Sequence, residues 1–350
     1  MRIGLYGMPT AGKSFLMDRI DFWDVLSGSR LLREYDSEFD KRDKEGRERV
    51  RRALAESCKK HDGFIMDGHY AFGDEVVFTE EDGELYDCFL YIYINPDILR
   101  KRMGESDKNQ KYLEYDIAGW QCMEIEGLRE YCHAHCKDFY VMDCPPDHEF
   151  IDAGEAVQFL RDISAGYSNV RFASEISDLI LKEACSDTIF LLDGDKTFIY
   201  EDSSTLVFNY ITNIFDGNFY TGFQSWKQYR EFGSYKIVIP EEILVCRNPK
   251  VPELKGTEAY IISSGNREIW ERIASQFGMT AFAGNEMSAD TKYFIAKFLR
   301  KSGKRVIGYG DSMSDYYMLK ESDEGYLVMK DTGRISRSLD NKDMGGLNLV

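Results

Sequence analysis

Ile189-Phe190-Leu191-Leu192-Asp193-Gly194-Asp195-Lys196-Thr197 is a run of four apolar residues that ends abruptly in two aspartates at i and i+2, with a threonine two places on. A short apolar run bounded by turn residues reads as a buried strand. Side chains at i and i+2 of an extended segment point to the same side, so a strand tip aims both carboxylates into one crevice. One can then attack phosphorus while its neighbour handles the proton. Taken alone, the stretch fits a plain Gly/Asp turn after a strand equally well.

The downstream sequence separates the two readings. Tyr260-Ile261-Ile262-Ser263-Ser264-Gly265 is a second apolar run ending in hydroxyls, Lys292 opens an amphipathic stretch, and Val306-Ile307-Gly308-Tyr309-Gly310-Asp311 ends in a Gly-Asp pair with Asp315 four residues on. This ordered set, over residues 186–330, resembles the haloacid-dehalogenase (HAD) phosphohydrolase superfamily. The resemblance implies that Asp193 is a nucleophile forming an aspartyl-phosphate and that Asp195 is the acid and base. It implies further that Ser264 (with Ser263 as the alternative) and Lys292 bind phosphoryl oxygens. Asp311 and Asp315 would hold Mg²⁺ with Asp193 and the main-chain carbonyl of Asp195. Oxygen ligands suit Mg²⁺ on independent grounds, and such an ion lets clustered carboxylates stay ionised beside a phosphate. In this family an insert after the nucleophile forms a cap. Here it would span about 198–257, with aromatics such as Phe208, Tyr210, Phe223, Trp226 and Tyr229 and the lone basics Lys227, Arg230 and Lys236. Most of those aromatics read as the cap's own core.

At the other end, Gly7-Met8-Pro9-Thr10-Ala11-Gly12-Lys13-Ser14 is G-x-x-x-x-G-K-[ST], set between a strand at Ile3–Tyr6 and an amphipathic run at Phe15–Ile20. Gly7 and Gly12 let backbone N–H groups curl around phosphate, Lys13 would reach the β- and γ-phosphates of ATP, and the Ser14 hydroxyl would ligate Mg²⁺. Further strands are expected at Leu31–Glu38, Phe64–His69, Cys88–Ile94 and Phe139–Asp143, with a closing helix at Gly154–Ser164. Cys88–Ile94 is wholly apolar and so central to a parallel sheet. Residues 1–164 thus resemble P-loop kinases of the adenylate-kinase type. The resemblance makes Asp67 an Mg²⁺-side or substrate-side carboxylate, Asp36 the base for the acceptor hydroxyl, and Arg100 and Arg102 lid cations. Asp36 reads equally as a helix cap, and Asp40-Lys41-Arg42 is its rival. Arg100 and Arg102 cannot share a helix face at i, i+2, so one at most faces phosphate.

The sequence of 350 residues is long for one core. It is expected to form an α/β protein of two doubly wound parallel-sheet domains, 1–164 and 186–350, joined by a helical connector at 165–185. The net charge is −17, and residues 1–165 carry 22 basic against 35 acidic side chains. So acidic a surface disfavours long nucleic acid, which is held through basic groups. Eight cysteines show no disulfide-framework spacing. In Cys132-His133-Ala134-His135-Cys136 the histidines fall elsewhere around a helix from the cysteines, which argues against zinc. No apolar run approaches membrane-spanning length, so a cytoplasmic location without a membrane partner is expected. The sequence is silent on oligomeric state.

The expectation is therefore a bifunctional enzyme: an ATP-dependent kinase and an Mg²⁺-dependent phosphatase. The favoured substrates are small nucleoside, nucleotide or sugar metabolites. One alternative is a polynucleotide 5′-hydroxyl kinase and 3′-phosphatase; a second is a phosphatase regulated by nucleotide bound to a non-catalytic kinase-like half.

Overall fold

The computed structural model describes residues 1–145, 148–207, 222–233, 238–240, 243–254, 256–284 and 286–350. They form two compact units, Met1–Tyr167 and Ser168–Val350.

The strands of the first unit are β1 (Arg2–Tyr6), β2 (Val25–Ser27), β3 (Phe64–Asp67), a small hairpin of β4 (Ala71–Phe72) and β5 (Glu75–Val76), β6 (Cys88–Tyr93) and β7 (Asp138–Asp143). The main sheet runs β2-β3-β1-β6-β7 with every pair parallel. Phe89, Leu90, Tyr91 and Ile92 of β6 are wholly buried. A strand with helices over both faces and neighbours on both edges has no polar side, which is why its sequence does not alternate. The closing helix is Ala153–Ser164.

One expected strand is corrected. Leu31–Glu38 is not extended: the second strand is Val25–Ser27, and a helix runs Gly28–Tyr35 with Asp36 as its C-terminal cap. The helix begins where the Gly28 N–H donates to Asp67 Oδ1 at 2.8 Å, so the end of β3 fixes the turn that follows β2. The P-loop helix is also shorter than the run Phe15–Ile20 suggested, ending at Met17.

The second unit contains β8 (Thr188–Leu192), β9 (Glu258–Ser263), β10 (Thr280–Ala283), β11 (Arg305–Gly310), β12 (Glu324–Leu327) and β13 (Leu347–Leu349). Its order is β10-β9-β8-β11-β12-β13, again parallel throughout. The helix Asn169–Glu183 packs on the helix Ala289–Lys301 of this unit. The passage between the units is short. Tyr167 lies against Tyr140 and Phe159 with ring centroids 6.0 and 5.6 Å away, and Ser168 caps the next helix by accepting from Arg171 N at 3.1 Å. No helix among the described residues is long and apolar enough to cross a membrane.

Both units are therefore parallel α/β folds, as expected, and in such sheets ligands gather outside the carboxyl ends of the strands. Of the expected cap, 208–221, 234–237, 241–242 and 255 lie outside the described residues, and with them Phe208, Tyr210 and Lys236. Phe223 and Trp226 are buried and stacked at 5.9 Å, as core residues are, whereas Tyr229 is exposed.

Candidate active sites

In the second unit β9, β8 and β11 are adjacent, and each carries one motif at its carboxyl end. Adjacency brings residues 193, 264 and 311 to one rim. The turn Gly194–Phe198 after β8 is a wide turn in which Phe198 N donates to Asp193 O at 3.1 Å and Ile199 N to Gly194 O at 3.1 Å. Lys196 takes φ 58°, the left-handed region, and its ammonium pairs with Asp202 at 2.6 Å.

Asp193 is buried and Lys292 wholly so. The Lys292 ammonium donates to Asp193 Oδ1 at 2.6 Å and to Asp315 Oδ1 at 2.7 Å. One cation thus balances two carboxylates, Asp193 just after β8 and Asp315 in the first turn of the helix Met313–Glu321. Asp315 is itself wholly buried, and its Oδ2 accepts from the backbone of Asp311 and Ser312 at 3.2 Å each. The chain fits only because residue 310 has no side chain: a Cβ on Gly310 would stand 2.3 Å from Asp315 Cβ.

The potentials follow from this crowding. Burial first, then the Asp315 charge, pushes Asp193 up to about 7, against the pull of Lys292. Burial raises Asp195 to about 6 although the Ser203 backbone N–H and hydroxyl donate to it at 2.6 and 3.1 Å. Burial and the Asp193 and Asp315 charges hold Asp311 well above the usual carboxylate range. Lys292 is pushed up: the attraction of Asp193 and Asp315 outweighs its own desolvation.

Asp193, Asp311 and Asp315 each offer an oxygen within 4.8 Å of the others, the group with metal-ligand spacing found among the described residues. Three carboxylates, two buried and one half-buried, stand against one lysine, and the all-oxygen donor set fits Mg²⁺. The prediction is competition between protons and Mg²⁺. A carboxyl whose folded pKa is raised favours the protonated folded state, so its ionisation costs stability as pH rises from about 4 through the folded values near 6 and 7. Mg²⁺ binds the ionised form. Its stabilising shift in Tm should be near zero at pH 4.5 and several degrees at pH 8, read by thermal unfolding; a shift independent of pH would contradict a carboxylate site.

The two serines at the end of β9 differ. Ser263 is buried and its Oγ accepts from Gly265 N at 3.0 Å. Ser264 is half-buried just beyond the strand and donates to Met287 O at 2.5 Å.

In the first unit the phosphate loop joins β1 to the helix at Lys13. Thr10 has φ 67° and Gly12 φ 98°, left-handed values that curl the loop and suit glycine at 12. Ser14 is exposed. The buried Lys13 ammonium donates to Met8 O at 3.2 Å and to Gly7 O. Burial lowers Lys13 to about 8, opposed by Glu124 and Asp67. Glu124 is wholly buried and accepts from Tyr91 OH at 2.7 Å, Trp120 Nε1 at 3.2 Å and Ala71 N at 3.1 Å. It ties the hairpin to the sheet beneath the loop. Sequence reasoning missed it; its signal is a lone carboxylate on the apolar face of Ile117–His135.

A cavity of about 610 Å³ opens beside the loop and is lined by Pro9, Asp67, Asp40 and the helix Lys44–Cys58. Asp36 is not among its lining residues; its carboxylate is bound by Arg42 and lies below the usual range for that reason. Of the paired arginines, Arg102 reaches the loop, donating to Thr10 O at 2.9 Å over the ring of Phe150. Arg100 turns to Leu113 O at 3.1 Å instead.

No protein-family model matches the chain, and no curated protein matches it. Solved structures match parts of it. A HAD family hydrolase from Salmonella enterica serovar Typhi is 16% identical, covering 51% of this chain and 76% of its own, at a TM-score of 0.33. A shikimate kinase from Acinetobacter baumannii is 13% identical, covering 47% and 92%, at 0.34. A gluconokinase from Sinorhizobium meliloti is 13% identical, covering 45% and 87%, at 0.30. TM-scores this low decide no chemistry. The site geometry must carry it.

Proposed function

We propose that the chain is a two-site phosphotransfer enzyme: an Mg²⁺-dependent phosphomonoesterase at Asp193 and an ATP-dependent kinase at Lys13, acting on small hydroxylated metabolites of the nucleoside, nucleotide or sugar type. The observation that carries the reading is Lys292 bridging Asp193 and Asp315 at 2.6 and 2.7 Å in a buried cluster of carboxylates. Burying charges is costly, and clustered carboxylates with raised pKa values are a mark of functional sites.

In the phosphatase, Lys292 holds Asp193 Oδ1 and leaves Oδ2 to attack phosphorus, forming an O–P bond as the substrate's ester P–O bond breaks. Asp195, raised above the usual carboxylate range by burial, can take up a proton and give it to the leaving oxygen. It then removes a proton from the water that hydrolyses the aspartyl-phosphate, releasing phosphate and restoring Asp193. Ser264 and Lys292 donate to the phosphoryl oxygens. Mg²⁺, held by Asp193, Asp311 and Asp315, would supply charge neutralisation at phosphate.

In the kinase, the acceptor oxygen bonds to the γ-phosphorus of ATP and ADP departs. The hydroxyl proton passes to Asp40 or Asp67, the cavity carboxylates beside the loop. Lys13, Gly7, Gly12 and Ser14 hold the phosphates and their Mg²⁺, and Arg102 stands over the loop. Asp40 is poised by Arg33 at 3.0 Å. A cavity of about 610 Å³ suits a small acceptor.

The test is a phosphate-release screen with Mg²⁺ over mononucleotides, sugar phosphates and 3′-phosphorylated oligonucleotides, run beside ADP formation from ATP and the dephosphorylated partners. Turnover of small phosphates with oligonucleotides ignored is expected; preference for the oligonucleotide would replace metabolite chemistry by end repair. Lys13→Ala should lower ADP formation by about 10²-fold or more and leave phosphate release within twofold. Equal loss of both would contradict two separate sites.

A further inference from the structure

Two glycines sit in different turns of the carboxylate site: Gly194 lies between Asp193 and Asp195, and Gly265 follows Ser264. Neither takes a positive φ, so neither turn needs glycine for its backbone. What each lacks is room for a side chain. A Cβ on Gly265 would stand 2.5 Å from Trp270 Nε1 and 2.7 Å from Cδ1. A Cβ on Gly194 would stand 2.2 Å from Cζ2 of the same ring and 2.6 Å from Cε2 and Cη2. These atoms follow one another round the indole. Its pyrrole end therefore meets the turn that holds Ser264, and its benzene end meets the turn that holds Asp193.

Trp270 comes from the helix Arg267–Gln276, which starts directly after the second of these turns. Asn266 caps that helix by accepting from Ile269 N at 3.2 Å. The ring is wholly buried in a cluster with Leu192, Phe198, Ile261 and Ile273. Its Nε1–H is buried as well, without a hydrogen-bond partner. Phenylalanine or leucine would fill a core without the cost of an unpaired buried donor. Stability alone therefore does not select tryptophan here. A rigid plate long enough to touch both turns does, because packing against such a plate locks the groups that flank it.

We propose that Trp270 is a positioning residue for the phosphatase: its indole sets the distance between the turn that carries the nucleophile and the turn that holds the phosphoryl group. Attack needs the Asp193 oxygen close to phosphorus and in line with the departing oxygen, and a displacement of about 1 Å can cost about 10²-fold in rate. A spacer acts on that alignment more than on the binding of the substrate. The inference deepens the phosphatase reading above and rests on it.

The experiment measures kcat and KM for phosphate release with Mg²⁺, Tm, and the calorimetric Kd of beryllium trifluoride, which mimics a phosphoryl group on an aspartate. Trp270→Phe, too short to span both turns, should lower kcat about 10²-fold with KM within threefold, and weaken beryllium trifluoride at least tenfold. Benzothienylalanine installed at position 270 has the shape of tryptophan without the N–H, and should stay within threefold of the unaltered chain in every measurement. Gly194→Ala drives a methyl into the benzene end and should lower kcat at least tenfold; combined with Trp270→Phe, which removes that end, it should recover most of the loss it causes alone. A folded Trp270→Phe with kcat within threefold overturns the inference. So does a benzothienylalanine chain as impaired as Trp270→Phe, because the N–H rather than the length would then matter. Should Trp270→Phe fail to fold, Gly194→Ala decides alone, and kcat within threefold there overturns the inference. The same ranking of beryllium trifluoride affinities, with no phosphate released from any substrate, would leave the inference standing and overturn the phosphatase reading. Absence of both binding and turnover in the unaltered chain would overturn the two together.

Discussion

Asp193→Asn should abolish phosphate release, by about 10⁴-fold or more, while ADP formation at the P-loop continues unchanged. The substitution keeps shape and hydrogen-bonding capacity but removes the proposed nucleophile, because an amide oxygen does not form a hydrolysable acyl phosphate. It also lifts one of the two charges that face Lys292. The remaining pair with Asp315 stays intact, so the protein should fold. Near-wild-type Tm with no phosphate release is the expected combination. Residual turnover within a hundredfold of wild type would remove Asp193 from the role of nucleophile, and Asp195, already hydrogen-bonded by Ser203, would be the next to examine.

Lys292→Met acts in the opposite sense. It leaves Asp193 and Asp315, both buried, facing one another without the cation that separates them. Removing one partner from a buried ion pair typically costs about 3–5 kcal/mol, because the surviving charge has no solvent to turn to. For a unit of this size each kcal/mol lowers Tm by roughly 2–4 °C, so a drop on the order of 10 °C is expected at pH 8. The carboxylates can escape by taking up protons. The loss should therefore shrink at pH 5, and Mg²⁺, which replaces the missing positive charge, should recover part of it at pH 8. Phosphate release should be lost at every pH. A variant as stable as wild type at pH 8 without Mg²⁺ would mean that the cluster is not held together by Lys292.

The second unit was the more legible in sequence, for a physical reason. Its three motif strands are short apolar runs ending in chemically distinctive residues, and they lie side by side in the sheet. In the first unit the P-loop announced itself, but β2 did not. Three residues are too few to show a period, and Leu31-Leu32 beside acidic residues imitated a strand end. Asp36 was therefore set at a strand tip, whereas it caps a helix and pairs with Arg42. The choice of Arg102 over Arg100 was equally hidden, because it depends on the ring of Phe150, distant in sequence. Glu124 was unreadable for the same reason: helix periodicity tells which residues share a face, and only packing tells what that face meets.

The short passage between Tyr167 and Ser168 has a consequence for ancestry. The aromatic residue before it is anchored by the rings of the first unit, and the serine after it supplies the second unit with its own helix cap. A recombination breakpoint there would leave neither gene product with a frayed end.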